Sequence, residues 1–175
     1  AASYTSQSNL SGSFNCTNLA AAVALGRYFD VPAPAIVQAL TDYLPAMNRV
    51  EWRKTASNQV LLDAYNANPT SMSLSIENFA KWHKDGWLVL GDMFELGEES
   101  AAEHRAIVKL VQRINMEERC ILVGKHFGRT SWRGKQFPTT GDLKTYWREN
   151  GAPKDAAILL KGSRGIALEQ LLPLL

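Results

Sequence analysis

Four short apolar runs alternate with segments of helical periodicity, and this alternation constrains the fold more than any other feature of the chain. The runs occupy residues 59–62, 87–90, 120–123 and 156–160, and the helical patterns occupy residues 70–83, 99–115, 142–150 and 166–172. Strands that alternate with helices of this length form βαβ units. The sequence therefore predicts a parallel sheet that is covered by helices on both faces.

Other stretches complete the predicted architecture. Residues 50–55 alternate between apolar and polar, and Ser57-Asn58 suits a tight turn, so an antiparallel hairpin is expected at the start of the sheet. A further short strand is expected at residues 136–137, and two helical patterns precede residue 49. We therefore predict an α/β fold with a Rossmann-like, mostly parallel sheet, an antiparallel N-terminal hairpin strand, helices on both faces and a short helical segment in front.

The charge balance and the cysteines limit the class of protein. Nineteen basic and seventeen acidic residues give a net charge of +2, whereas a dedicated nucleic-acid binder carries a concentrated basic face. No apolar run approaches the roughly 20 residues that cross a bilayer, and no signal peptide is visible. Cys16 and Cys120 form no CxxC or Cys/His motif. We expect no nucleic-acid partner, no membrane, no metal site, a cytoplasmic location and two buried, reduced thiols.

Polar turns that contain glycine or asparagine follow all four apolar runs, at residues 63–69, 91–97, 124–126 and 161–165. Ligands bind beyond the carboxyl ends of the strands of an open parallel sheet, where these turns would converge. Such residues also serve turn geometry alone. Four such turns together nevertheless predict a ligand-binding edge.

Asp63 is a candidate at this edge. Its carboxylate either accepts hydrogen bonds from a ribose or caps the next helix, and it lies too early to cap a helix that starts near Thr70. We expect a surface position, so Asp63→Ala should change the free energy of unfolding by only about 0.5 kcal/mol. Asn66 and Asn68 either orient a ligand or build an Asx-turn before Pro69.

A second candidate is the turn Gly162-Ser163-Arg164-Gly165. We expect it to open a helix, where backbone N–H groups and the guanidinium hold an anion, and the alternative is a plain capping turn with a solvated arginine. His104 is interpreted as a structural histidine at the edge of the core. The sequence has no GxGxxG and no GxxxxGK(S/T) motif, so it carries neither common nucleotide-binding loop.

Five segments together resemble the Mur ligase family. They are GSFNCTNLAAA (12–22), PAMNRVE (45–51), DAYNANPTSM (63–72), LGDMFELGEES (90–100, followed by Glu103-His104) and LKGSRG (160–165). The first is similar to the segment that closes the family's central ATPase domain, and the second to the entry to its C-terminal domain. The last three resemble the branch of the family that ligates D-alanyl-D-alanine.

The resemblance implies one part of a three-domain enzyme. Residues 1–46 would be the end of the central ATPase domain with its junction helices, and residues 47–175 would be the C-terminal domain. The implied activity is an ATP-dependent carbon–nitrogen ligation in peptidoglycan synthesis, which adds D-alanyl-D-alanine to UDP-N-acetylmuramoyl-tripeptide through an acyl phosphate. The family's central domain supplies the main catalytic residues and most contacts to ATP and Mg²⁺. The chain is therefore expected to be a fragment, or part of a split protein, that needs the preceding domains and is inactive alone.

The resemblance also assigns roles to residues. Nucleotide contacts would come from Asn15, Asn18, Arg49, Asp63 and Tyr65, and substrate contacts from Asn66, Asn68, Ser163 and Arg164. The two asparagines of the first set would approach the adenine, the arginine the phosphates and the aspartate the ribose. Ser163 and Arg164 would face a peptide or dipeptide carboxylate. Phe14 stands where many relatives have a histidine, so that position departs from the family pattern.

Two alternatives stay open. One is another branch of the family, of the folylpolyglutamate or cyanophycin type, which an assay with matched amine substrates would separate. The other is a stand-alone α/β binding module without a ligase role, which is favoured if no P-loop is encoded upstream.

Overall fold

The computed structural model describes residues 5, 7–10, 15–43 and 50–175. The chain forms two compact units, Ala1–Met47 and Asn48–Leu175. Within the described residues, no helix is both long and apolar enough to span a membrane.

Two helices form most of the described part of the first unit. Helix α1 spans Asn15–Tyr28 and α2 spans Ala33–Asp42, which agrees with the two helical patterns in the sequence. Ile36 is the buried residue of α2, and it packs so closely on Gly26 of α1 that an added Cβ would lie 2.9 Å from it. Most of α1 is exposed, so the expectation of two buried thiols was wrong: Cys120 is buried, but Cys16 lies on this exposed helix.

The second unit is built on a sheet that has six strands in the described part of the chain. They are β1 (Glu51–Lys54), β2 (Gln59–Asp63), β3 (Trp87–Gly91), β4 (Cys120–Val123), β5 (Lys135–Phe137) and β6 (Ala157–Lys161). Their order is β1-β2-β6-β3-β4-β5. The pair β1–β2 is antiparallel and all other pairs are parallel, so the predicted mixed sheet is confirmed.

Helices cover both faces of this sheet. They are α3 (Pro69–Trp82), α4 (Ser100–Arg113) and α5 (Thr140–Asn150). Side chains of a strand alternate between faces, so Leu61 packs in the cluster with α3 and α4, whereas its neighbour Leu62 packs in the cluster with α5. Full burial of one such leucine stabilises the fold by roughly 1.5–3 kcal/mol. The alternation therefore fixes which face of β2 carries Asp63.

The end of the chain differs from the prediction. Residues 166–172 were expected to form a helix, but the segment consists of two 3₁₀ helices, Arg164–Ile166 and Leu168–Leu174. Ala167 separates them in the left-handed conformation (φ 57°, ψ 45°), which interrupts a right-handed helix. Pro173 further removes a backbone donor from the second segment.

Candidate functional site

Parallel pairing brings the predicted turns to one edge of the sheet. Strands β2, β6, β3 and β4 are consecutive neighbours, and all four point the same way. The turns that follow them therefore lie side by side, as the sequence predicts. We call this row of turns the carboxyl edge, and it comprises residues 63–69, 161–165, 91–97 and 124–126.

Asp63 is buried at this edge, so the expected surface position was wrong. It is only 8% exposed, and its Oδ2 accepts a hydrogen bond of 2.6 Å from Nζ of Lys161 and one of 3.2 Å from Oγ of Ser75. Asp63 and Lys161 are register partners on adjacent strands, which is why their side chains meet. Because Lys161 is 1% exposed, the carboxylate is the counter-ion of a buried ammonium group.

The second carboxylate oxygen of Asp63 is differently placed. Oδ1 has no hydrogen-bond partner among the described residues, and it is not one of the buried unpaired atoms found there. The side chain keeps 11% of its surface exposed. One oxygen of Asp63 is thus held by the protein, while the other remains accessible to a ligand donor.

The turn after β2 carries three predicted contact residues. Tyr65 is half-buried, and the guanidinium carbon of Arg164 lies 5.5 Å from the centre of its ring, which is within the range of a cation–π contact. Asn66 is exposed, and its carbonyl accepts a long hydrogen bond of 3.4 Å from Nζ of Lys161. Asn68 is the N-cap of α3 and accepts a hydrogen bond from N–H of Ser71, so its side chain caps this helix.

The turn after β6 brings Ser163 and Arg164 to the same edge. Arg164 is exposed, whereas Ser163 is buried and its Oγ accepts a hydrogen bond of 2.9 Å from N–H of Phe94. Residues 162–165, which were expected to open a helix, lead into the three-residue 3₁₀ helix Arg164–Ile166. The charge of Arg164 therefore remains as the feature that would attract an anion.

Asp92 connects three of the strand ends. Its carboxylate accepts hydrogen bonds from the N–H groups of His126 (2.8 Å) and Phe127 (2.9 Å), and its carbonyl accepts one from N–H of Ser163 (3.0 Å). Gly124 has φ +129°, and an added Cβ would lie 2.2 Å from the carboxyl carbon of Asp92. Only glycine allows this close approach. Asp92 thus fixes the carboxyl edge as one unit.

His104 lies beneath the edge and has the structural role that the sequence suggested. It is fully buried, its Nδ1 donates to the carbonyl of Ser100 (2.7 Å), and its Nε2 accepts from N–H of Met93 (3.1 Å). Burial lowers the pKa of His104, although the carbonyl of Ser100 and the charge of Asp92 act in the opposite direction. Both ring nitrogens are used in the neutral form, which matches the lowered pKa.

The remaining predicted residues lie in the first unit or outside the described residues. Asn15 is buried and Asn18 exposed in the first unit, where Nδ2 of Asn18 donates to Oδ1 of Asn15 over 3.0 Å. Arg49 lies outside the described residues. Over residues 15–43 and 50–175, no group of three or more His, Cys, Asp or Glu side chains could hold a metal ion.

Lys161 and Asp92 are structural centres of the site that the sequence argument did not single out. Lys161 was quoted within the LKGSRG segment, but a lysine at the end of a strand is usually solvated. One signal was present in the sequence: one apolar run ends in aspartate and another ends in lysine. If the two strands pair in parallel with matching registers, the lysine lies opposite the aspartate. The register itself is not visible in the sequence.

Comparisons with known proteins agree on one family. The family model described as "Mur ligase, glutamate ligase domain" matches residues 48–164. The UDP-N-acetylmuramoyl-tripeptide–D-alanyl-D-alanine ligase of Bacillus subtilis is 32% identical over 91% of this chain, and the chain covers 37% of that protein. The Escherichia coli ligase of the same name is 33% identical over 92% of the chain, which covers 36% of it. The chain thus spans less than two fifths of the length of these relatives.

Solved structures show the same likeness. A structure of MurF from Acinetobacter baumannii matches with a TM-score of 0.74 and 26% identity, over 95% of this chain and 38% of that one. MurF from Thermotoga maritima, solved in complex with ADP, matches with a TM-score of 0.73 over 94% of this chain and 38% of that one. Its identity is 19%, so this second likeness shows the fold alone.

Proposed function

We propose a function for this chain, which belongs to the Mur ligase family. It is the C-terminal part of an ATP-dependent ligase that adds D-alanyl-D-alanine to UDP-N-acetylmuramoyl-tripeptide in peptidoglycan synthesis. The names of its relatives, at 32% and 33% identity, support this branch of the family. In this proposal, residues 1–46 end the central ATPase domain and residues 47–175 form the C-terminal domain. The reaction consumes ATP, and we assign it to the cytoplasm.

The observation that carries the proposal is the composition of the carboxyl edge. Asp63 has one accessible carboxylate oxygen that can accept from ribose hydroxyls, and Tyr65 offers a half-buried ring in the same turn. Arg164 adds an exposed cation beside this ring, which suits the carboxylate or phosphate of a substrate. A nucleotide and an acidic substrate are therefore the ligand classes that fit this edge.

The roles of the other predicted residues follow from their present partners. Asn66 is exposed and available to a substrate. Asn68 and Ser163 accept hydrogen bonds from backbone N–H groups, so we assign them first to the shape of the two turns. Asn15, Asn18 and Arg49 complete the proposed nucleotide contacts from the segment before β1.

The chemistry requires more than this chain. Transfer of the γ-phosphoryl group of ATP to the tripeptide carboxylate forms an acyl phosphate and releases ADP, and attack by the amine of D-alanyl-D-alanine then forms the amide and releases inorganic phosphate. Phosphoryl transfer depends on cations around the transferring group. As the resemblance to the family implies, we assign Mg²⁺ mainly to the preceding domain. This chain's residues would orient ligands and help to exclude water, which would otherwise hydrolyse the intermediate.

An assay of the full-length protein tests the proposal. Phosphate release and product mass are measured with ATP, UDP-N-acetylmuramoyl-tripeptide and either D-alanyl-D-alanine or L-glutamate as the amine. We expect a ligated product with D-alanyl-D-alanine only. A product with L-glutamate would assign the chain to another branch of the family. If no amine gives a product and the full-length protein contains no P-loop, a binding module is favoured.

A further inference from the structure

Lys161 occupies a position that the proposed ligand contacts do not use. It is among the largest fully buried side chains, at 1% exposure, and its ammonium group faces the same edge as Asp63. Burial of a lysine charge is costly unless it is paired and hydrogen-bonded. The pairing with Asp63 therefore offsets part of the cost of burying Lys161.

The pairing restricts the orientation of Asp63. Nζ of Lys161 and Oγ of Ser75 both contact the same oxygen, Oδ2, at 2.6 and 3.2 Å. A carboxylate that is held at one oxygen from two directions cannot rotate freely, so Oδ1 keeps one direction at the edge. Nζ also contacts the carbonyl of Asn66 at 3.4 Å, which ties the turn that carries Tyr65 to the same ammonium.

We propose that Lys161 is the positioning residue of the nucleotide site: it fixes Asp63 so that the accessible oxygen accepts from a ribose hydroxyl. This inference rests on the proposed function, since it requires that Asp63 meets the ribose. Lys161 does not touch the ligand itself. Its contribution is an orientation, and a pre-oriented acceptor binds a donor without first losing rotational freedom.

Discrimination between nucleotides measures this orientation directly. The full-length ligase is assayed with ATP, 2′-deoxy-ATP and 3′-deoxy-ATP. The ratio of kcat/KM for ATP to kcat/KM for each deoxy analogue gives the contribution of the missing hydroxyl. Loss of a hydrogen bond to a charged acceptor reduces kcat/KM by about ten- to a hundred-fold, so the wild-type ratio for one analogue should lie in that range. In Asp63→Asn and in Lys161→Met, we expect this ratio to fall below about three.

The variants separate orientation from general stability. A merely structural lysine would lower the activity with ATP and with the deoxy analogues by the same factor, so the ratio would keep its wild-type value. Lys109→Met, an exposed lysine on α4, is the matched control and should keep both the ratio and the melting temperature. If Lys161→Met does not fold, Lys161→Gln replaces it. Its amide is uncharged and one bond shorter than the lysine side chain, so it should hold Asp63 less firmly and should at least halve the ratio.

Each outcome is decisive. A reduced ratio in both Asp63→Asn and the Lys161 variant supports the proposal. A reduced ratio in Asp63→Asn with an unchanged ratio in the folded Lys161 variant overturns the positioning role and leaves the proposed function intact. A wild-type enzyme that is active but discriminates against neither analogue removes the ribose contact from the proposed function, and the inference fails with it.

Discussion

Asp63→Ala tests the main difference between the sequence argument and the structure. An exposed strand end would predict a change in the free energy of unfolding of about 0.5 kcal/mol. In the structure, the substitution leaves Lys161 buried at 1% exposure, and its ammonium group keeps only the long contact to the Asn66 carbonyl among the described residues. Removal of one member of a buried ion pair costs about 3–5 kcal/mol. We expect a loss of about 3 kcal/mol, because Asp63 itself is slightly exposed.

Urea unfolding of the 175-residue chain, followed by the fluorescence of its five tryptophans, measures this loss. A loss of about 3 kcal/mol is a large part of the 5–15 kcal/mol that stabilises a typical domain, and it corresponds to a fall in melting temperature of roughly 10 °C. Asp85→Ala is the matched control, because its side chain is 93% exposed and its ion pair with Arg119 lies at the surface. That control should stay within about 0.5 kcal/mol.

The double variant Asp63→Ala/Lys161→Met isolates the cause. If the loss comes from an uncompensated buried charge, removal of that charge should restore at least half of it. Two results would refute the argument. One is a loss within about 0.5 kcal/mol for Asp63→Ala, and the other is a double variant that is less stable than the single one.

Three further predictions concern the close approach at Gly124, the buried histidine and the isolated chain. Gly124→Ala should destabilise the fold by at least about 2 kcal/mol, because it forces alanine into φ +129° against Asp92. In the control Gly128→Ala, the added Cβ meets no atom within 4 Å and the change should be neutral, so equal urea midpoints for the two variants would contradict the prediction. The lowered pKa of His104 means that the unfolded chain takes up its proton first, so the free energy of unfolding should fall as the pH drops below about 6.5 and level off below the folded-state pKa. In His104→Asn this part of the pH dependence should vanish, and an unchanged slope would exclude His104 as its source. The isolated chain should release no phosphate above background with ATP, the tripeptide precursor and D-alanyl-D-alanine, and it should bind ATP with a Kd of roughly millimolar or weaker. Turnover, or micromolar binding of ATP by calorimetry, would reveal a nucleotide site that is complete within these residues.

Local patterns were sufficient for most of the architecture. The alternation of apolar runs and helical segments predicted the parallel sheet, and Ser57-Asn58 predicted the hairpin that joins β1 to β2. Period and turn chemistry are properties of neighbouring residues, so one sequence displays them. The final segment was mistaken for a helix because the left-handed conformation of Ala167 leaves no compositional mark.

The site was predicted as a location and not as a set of contacts. The carboxyl edge follows from the general geometry of parallel sheets, and the turns after β2 and β6 were found there. The partner of Asp63 is 98 residues away in the chain, and only the pairing of β2 with β6 brings Lys161 next to it. Burial of Asp63 depends on this long-range register, which no local pattern encodes.

The strand order has a consequence for how this unit folds during synthesis. Strand β6 is the last of the strands to leave the ribosome, yet it lies between β2 and β3. Until it arrives, β2 and β3 each present an unpaired edge, and unpaired edges of nascent chains promote aggregation. The sheet is therefore completed only when β6 pairs with β2 and β3. This late step joins residues that lie far apart in the sequence, and it is slow compared with hairpin formation. A nascent chain that stalls before residue 157 would be a natural substrate for chaperones.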